Sequence, residues 1–385
     1  MTNPHVATTA TSPISEAYGW LDSSDLKEDL ALLDVAQAVP GYPPAPQLVD
    51  HLRQVDHSVL SRYGPVLGQP ELRTALAKNI SSAYSAEVRS DQVAITAGAN
   101  QAFCLSITTL CEPGDEVILP VPYYFNHDMW LRMNGVVPAH LACGDDMLPD
   151  VAAAAELITE RTKAIALVTP NNPTGRVYPP KLIAAFARLA VSNGVYLILD
   201  ETYRDFRQTT SPAHTLFEDP CWDESVIHLH SFSKVFSITG YRVGALVAAR
   251  DLLVEIEKVA DCMTICPNRL GQEAALFGLE HLDDWVEANR QVMNHRVERF
   301  RRLMGETDSP YSVVSAGAYF AYVRHPFEGV AGTEVARRLL REQSVLSLAG
   351  EMFGNDQHGY LRLAFANLAD ARIPDLVDRL AKTAR

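Results

Sequence analysis

Six short runs of nearly unbroken apolar character constrain the fold of this chain more than any other feature. They are QVAIT (92–96), DEVILP (115–120), KAIALVT (163–169), VYLILD (195–200), VIHLHS (226–231) and GALVAA (244–249). A strand with one wet face alternates apolar and polar residues, whereas a continuous apolar run fits a strand covered on both faces. Gly, Pro, Asp or Asn bound most of the runs, and helical patterns separate them. PPKLIAAFARLAVSNG (179–194), for example, has proline near its start and glycine at its end, the expected helix punctuation. Strands alternating with helices predict an α/β fold with a largely parallel sheet.

The pattern changes near residue 280. HLDDWVEANRQVMNHRVERFRRLM (281–304) sets Trp285, Val292, Val297, Phe300 and Leu303/Met304 at near-helical spacing and predicts one long helix. The strand-like runs YSVVS, AYFAYV and YLRLAFA and two amphipathic helices follow, as in a smaller α+β domain. A chain of 385 residues is too long for one simple core, which agrees with two domains. Residues 1–16, rich in Thr, Ala, Ser and Pro, are expected to form a mobile arm.

Charge narrows the partners. A formal net charge of -14 should repel phosphate backbones and anionic lipid surfaces, which argues against nucleic acid and membranes. The opening MTNPHVATTATSPISEA has neither the basic cluster nor the apolar stretch of a signal peptide. Six cysteines in a chain of this size do not make a disulfide framework. Only Cys262 and Cys266 are close together, and no histidine pair completes a metal site around them. The cytoplasm is the expected location.

The chemistry centres on HSFSKVFSITGYRVG (230–244), where Lys234 stands among small and apolar residues. A lysine at the end of a buried strand is costly without a partner or a task. A partly desolvated amine has a lowered pKa and can attack an aldehyde to give a Schiff base. Taken alone, the same lysine is also read as a surface residue whose stem lies along the protein. Its neighbours favour the first reading. Ser231 lies three residues before it, and Arg242 follows between Gly240 and Gly244. An arginine between glycines suits a phosphate, and the set suits an aldehyde that carries one, such as pyridoxal phosphate.

Such a cofactor makes further demands. TAGANQAF (96–103) offers backbone donors for the phosphate, where Gly98 turns and a helix begins near Ala99 and Asn100. An ordinary strand-to-helix turn would look the same. Asp200 ends the most apolar strand and would pair a protonated pyridine nitrogen; it could equally cap a helix. Tyr203 and Asn172, the latter in TPNNPTG (169–175), can reach the ring's phenolic oxygen, although NNPTG alone is only a turn. Tyr124 in PVPYYFNH (120–127) can cover the ring, or belong to the core. Arg362 in GYLRLAFAN (359–367) can take the α-carboxylate of an amino acid, a structural Asp or Glu being the alternative partner.

Together these stretches resemble the class I/II aminotransferases among the fold type I pyridoxal-phosphate enzymes. AVPGYPPAP (38–46), YGPVLGQPELRTALA (63–77), TAGANQAF, PGDEVILPVPYY, TPNNPTG, DETY, SFSKVFSITGYRVG, GAYFAYV and YLRLAFA fall in the family's order from about residue 33 onward. The resemblance implies a large cofactor-binding domain over 45–282, and a small domain built from both chain ends, 17–44 and 283–385. It also implies a homodimer in which Tyr63 reaches the cofactor phosphate of the other subunit. Lys234 is then the residue bonded to the cofactor aldehyde and the proton-transfer base, and Asp200 pairs the ring nitrogen. Asn172 and Tyr203 bind the phenolic oxygen, and Tyr124 stacks on the ring. Ser231, Arg242 and the Gly98–Asn100 turn hold the phosphate, and Arg362 takes the substrate carboxylate. The implied reaction moves an amino group from an L-amino acid to a 2-oxo acid by ping-pong kinetics.

Two departures from the family stand out. Ala38 replaces a usual glycine over the substrate, so its methyl narrows that side. Asp261 falls where aspartate-specific members place an arginine, which points to a neutral, aromatic or cationic donor. Lyase, decarboxylase and oxidase chemistry are alternatives on the same site. A cofactor-binding sensor would be expected to lack Lys234 or Arg362, and both are present. A dinucleotide-binding dehydrogenase lacks its G-x-G-x-x-G here.

Overall fold

The computed structural model describes residues 2–23 and 30–383. Residues 24–29 of the 17–44 stretch, and residues 1, 384 and 385, lie outside the described residues. The strands in chain order are β1 (Leu33–Asp34), β2 (Val93–Thr96), β3 (Glu116–Val121), β4 (Val137–Ala142), β5 (Thr162–Val168), β6 (Tyr196–Asp200) and β7 (Val226–Ser231). They continue with β8 (Gly244–Val247), β9 (Ser312–Gly317), β10 (Phe320–Arg324), β11 (Val345–Leu346), β12 (Leu348–Ala349) and β13 (Tyr360–Leu363).

Seven of these form one sheet in the order β2-β8-β7-β6-β5-β3-β4. Neighbours from β7 through β4 run parallel, while β8 is antiparallel to both β2 and β7. All six apolar runs are strands of this sheet, within two residues of the expected bounds. Their unbroken apolarity follows from the pleat, which sends successive residues to opposite faces. Ile118, Ile165 and Leu197 enter one buried cluster, and their neighbours Val117, Ala164 and Ile198 enter another. The apolar runs do not disclose β4. It is the sheet's edge, carries Pro138 and is largely exposed, as an edge strand tolerates. The helix Pro180–Asn193 buries Ile183, Phe186, Ala187 and Ala190 on one stripe and ends at Gly194, whose φ of 64° is left-handed.

A smaller antiparallel sheet, β12-β13-β10-β9, carries its own core. The helices Asp283–Glu306, Gly332–Gln343 and Ile373–Thr383 cover it. On the first of these, Val292 faces solvent and Met293 takes the inward position, a shift of one residue from the expected stripe. The parallel pair β1–β11 ties the N-terminal segment to this unit. The stretch 1–16, read from its composition as an arm, carries the helix Pro4–Thr8 and the start of Pro13–Ser23. The second helix buries Ala17 and Trp20 in the smaller core.

The two units meet backbone to backbone. Gly175 follows β5 with φ 70°, and a methyl group on it would stand 2.5 Å from the nitrogen and oxygen of Gly317 at the end of β9. A methyl on Gly317 would overlap the Gly175 carbonyl oxygen. Neither partner is a flexible side chain, so the contact cannot relax cheaply. Gly317→Ala is expected to lower stability by about 1–3 kcal/mol, the usual cost of overpacking, as read by urea denaturation. An unchanged midpoint would show that the contact is looser than described.

Candidate active site

A cavity of about 560 Å³ opens where the parallel strands end, at Val168 of β5, Asp200 of β6 and Ser231 of β7. The carboxyl ends of parallel strands are the usual ligand crevice of open α/β sheets. Ala38, Ala99, Asn100, Tyr124, Asn172, Asp200, Tyr203, Ser231, Lys234, Arg242 and Arg362 all line this one cavity. Residues some 320 positions apart in sequence are therefore gathered by the fold.

One end is built for an anion. Gly98, with φ 86°, turns the chain from β2 into the helix Ala99–Leu110, whose first amides face the cavity region. The left-handed φ favours glycine at this turn, and a Cβ there would also press on Nη2 of Arg242 at 2.5 Å. Arg242 is itself left-handed at φ 53° and donates to the carbonyls of Thr239 (2.9 Å) and Ala97 (3.4 Å). Ser231 closes the end; its hydroxyl accepts from the Ser233 amide at 3.2 Å.

Lys234 does not end a strand, as its sequence context suggested. It lies on the short helix Phe232–Val235 that follows β7. Its amine donates to the Ala38 carbonyl oxygen. Burial pulls its pKa down to about 7, and the cations Arg242 and Arg362 act in the same direction.

Asp200 is buried and accepts from the Thr202 amide at 2.9 Å. His127 Nε2 stands 3.6 Å from its second oxygen. That imidazole is stacked on Phe103, and burial holds its pKa down to about 3, so it is neutral. With no cation beside it, the carboxyl of Asp200 is pushed up by burial to about 6. His127 is a site residue that the motif reading missed. Tyr124 and His127 are three apart at the start of the helix Phe125–Met133, a spacing that puts both on one side.

Arg362 is 1% exposed, between the rings of Phe320 and Phe353 at 5.1 and 5.3 Å. It donates to Asn172 Oδ1 at 3.2 Å and to the Ala36 carbonyl, while its Nε is buried without a partner. Among the described residues no carboxylate bonds to it, and burial pulls its pKa down to about 10. Tyr124 donates to Asn100 at 3.1 Å and accepts from Asn126 at 3.0 Å. Tyr203 is buried against Tyr319 and Phe320, which raises its hydroxyl well above the ordinary range. Ser12, Ile14, Ser15 and Gln37 also line the cavity, and no sequence motif marks them.

Two residues stand apart from it. Tyr63 is 77% exposed, and Asp261 lies exposed on the helix Arg250–Thr264. Neither lines the cavity of a single chain.

The geometry has counterparts among known proteins. An aspartate aminotransferase of Thermus thermophilus with maleate superposes with a TM-score of 0.91 over 100% of this chain and 99% of its own, at 24% identity. An aspartate/prephenate aminotransferase of the same organism is 30% identical over 352 residues, 86% of this chain and 87% of that one. An aromatic aminotransferase of Arabidopsis thaliana is 28% identical, covering 91% and 89%. The family description "Aminotransferase class I and II" matches residues 29–380. A match over nearly the whole chain, on a fold shared with aminotransferases and around a cavity of this composition, establishes that the chain belongs to the class I and II aminotransferase family.

Proposed function

We propose that this aminotransferase binds pyridoxal 5'-phosphate in the cavity and moves the amino group of an L-amino acid with a neutral or aromatic side chain to a 2-oxo acid. The observation that carries the reading is the grouping in one cavity of a lysine with a pKa near 7, a buried carboxyl without a cation, and an anion-binding turn. The residues fit the cofactor group by group. Asp200, unpaired and buried, would gain a partner in the protonated ring nitrogen. Gly98, Ala99, Asn100, Ser231 and Arg242 would hold the phosphate, and Tyr124 would lie against the ring. Asn172 and Tyr203 would meet the phenolic oxygen. When bound, the cofactor supplies the electron sink for the substrate carbon that gives up its proton.

The chain's own residues do the rest. Lys234 is largely neutral above about pH 7, the form that can attack an aldehyde. Once freed by the incoming amine, its Nζ takes the proton from the substrate Cα and returns it. Arg362 has a spare buried donor for the α-carboxylate and is steadied by Asn172. Ala38 and the neighbouring wall limit the space over the substrate.

The donor class follows from a charge count. The cations lining the cavity are Lys234, Arg242 and Arg362, and each is assigned above. Among the described residues none is left for a second substrate carboxylate. Exposed apolar residues support a homodimer. Val59, Tyr63, Met263 and Ile265 lie on two neighbouring stretches, 59–64 and 263–269, joined by Gly64 N–H to Cys266 Sγ (3.4 Å) and by Arg269 to the Val59 carbonyl (2.6 Å). A second copy would cover them, with Tyr63 reaching the partner's phosphate site. Among the described residues no helix is long and apolar enough to cross a membrane; the cytoplasm is the proposed location.

Borohydride treatment of the loaded enzyme, followed by peptide mapping, should fix the cofactor on Lys234. Lys234→Ala should abolish that attachment and lower transamination by about 10²–10⁴-fold. The attachment rate should rise with pH through about 7, as the amine loses its proton. Label on another lysine would reject the assignment. Phenylalanine should turn over faster than aspartate; the reverse order, in paired steady-state assays, would reject the donor class. Mixing Lys234→Ala with Tyr63→Phe subunits should restore activity in hybrids, because one site then has both native groups. No gain on mixing would mean that Tyr63 serves its own chain or none.

A further inference from the structure

Residues 34–39 form a strap across the cavity mouth. It is held mainly by the smaller unit: β1 pairs with β11, and the Ala364 amide donates to the Val35 carbonyl at 2.7 Å. Asp34 accepts from the Tyr18 hydroxyl at 2.5 Å and from the Ala36 amide at 2.9 Å. Asn367, five residues beyond Arg362, makes the densest set of links. Its Oδ1 accepts from the Val39 amide at 2.8 Å. Its Nδ2 donates to the carbonyls of Asp34 (3.2 Å) and Gln37. Asn367 therefore grips the strap on both sides of Ala38.

The Ala38 carbonyl and the Val39 N–H belong to one peptide group. That group is planar and trans, so its two ends point in opposite directions. Asn367 takes the N–H end, and Lys234 donates to the oxygen end. Fixing one end therefore aims the other. An acceptor on the N–H also polarises the carbonyl and strengthens it as an acceptor.

We propose that Asn367 is a positioning residue for Lys234, acting through the Ala38–Val39 peptide to hold the carbonyl that receives the free amine. The proposal rests on the reading of Lys234 as the reactive amine. Nothing on Asn367 touches the cavity; its hydrogen bonds go to the strap. Without it the N–H end of the peptide loses its partner, and the carbonyl is held less firmly toward the amine. That weakens a contact that favours the charged form, so the amine should shed its proton at lower pH. The charged and titratable groups facing Lys234 across the cavity are Arg242, Arg362, Asp200, Tyr203 and Tyr124, and none is altered by changing Asn367.

The test uses cofactor-free full-length enzyme, labelled with trace acetic anhydride across a pH series and mapped by mass spectrometry. The wild-type midpoint for Lys234 is expected at about 7. In Asn367→Ala it should fall by about one unit, a tenfold change in proton affinity. In the loaded enzyme kcat should fall by up to about 10²-fold, as for a misaimed catalytic group. Asn367→Gln keeps both an amide acceptor for Val39 and an amide donor for the Asp34 and Gln37 carbonyls, so its midpoint and kcat should return toward the wild type. An unchanged midpoint in Asn367→Ala overturns the proposal. Should that variant not fold, an unchanged midpoint in Asn367→Ser, whose shorter side chain withdraws the acceptor from Val39, overturns it equally. Borohydride label missing from wild-type Lys234 would instead defeat the reading of the lysine, a result read separately from the labelling midpoints.

Discussion

Lys234, Arg242 and Arg362 surround one cavity whose only lining carboxylate among the described residues is Asp200, and Asp200 is paired with none of them. Burial in a poorly solvated space penalises the charged form, which is why both Lys234 and Arg362 are pulled below their ordinary values, the neighbouring cations adding to the effect at Lys234. The protein tolerates this by lending neutral acceptors: the carbonyls of Ala36, Ala38, Ala97 and Thr239. Such acceptors satisfy hydrogen atoms without neutralising charge. The remaining imbalance favours entry of anions, a phosphate at one end and a carboxylate at the other. Binding affinity is thus partly stored in the folding of an electrostatically uncomfortable site.

The architecture divides this tension between two units. The parallel sheet supplies Asp200, Ser231 and, just beyond β7, Lys234; the smaller sheet supplies Arg362. Strands buried on both faces are stiff platforms, so the groups at their ends hold their positions relative to one another. The second unit reaches across through hydrogen bonds that include Arg362 to Asn172, Lys234 to the Ala38 carbonyl and the Tyr123 amide to the Phe353 carbonyl. The groups proposed to meet the cofactor are mounted on the rigid side, and the group proposed to meet the substrate carboxylate is mounted on the other.

Most of this was legible where chemistry imposes a local pattern. Six of the seven strands of the large sheet were visible because burial on both faces leaves few polar letters in them. Lys234, Asp200, Arg242 and Arg362 were legible because a charge in an apolar run demands a reason. The edge strand β4 was not, since one wet side and Pro138 erase the apolar run. His127 was hidden because a histidine beside aromatics reads as core, and only its distance to Asp200 shows otherwise. Ser12, Ile14 and Ser15 come from a low-complexity stretch that folds against the smaller core through Ala17 and Trp20, so their signal lies in tertiary packing. Tyr63 and Asp261 face solvent, and a single chain assigns them no contact with the cavity.

The touching backbones of Gly175 and Gly317 carry a mechanical consequence. With no side chains between them, the two units cannot slide past one another there without atoms colliding. The glycine pair, three residues from Asn172, therefore sets how closely the two units approach, and with it how far Arg362 stands from Asn172.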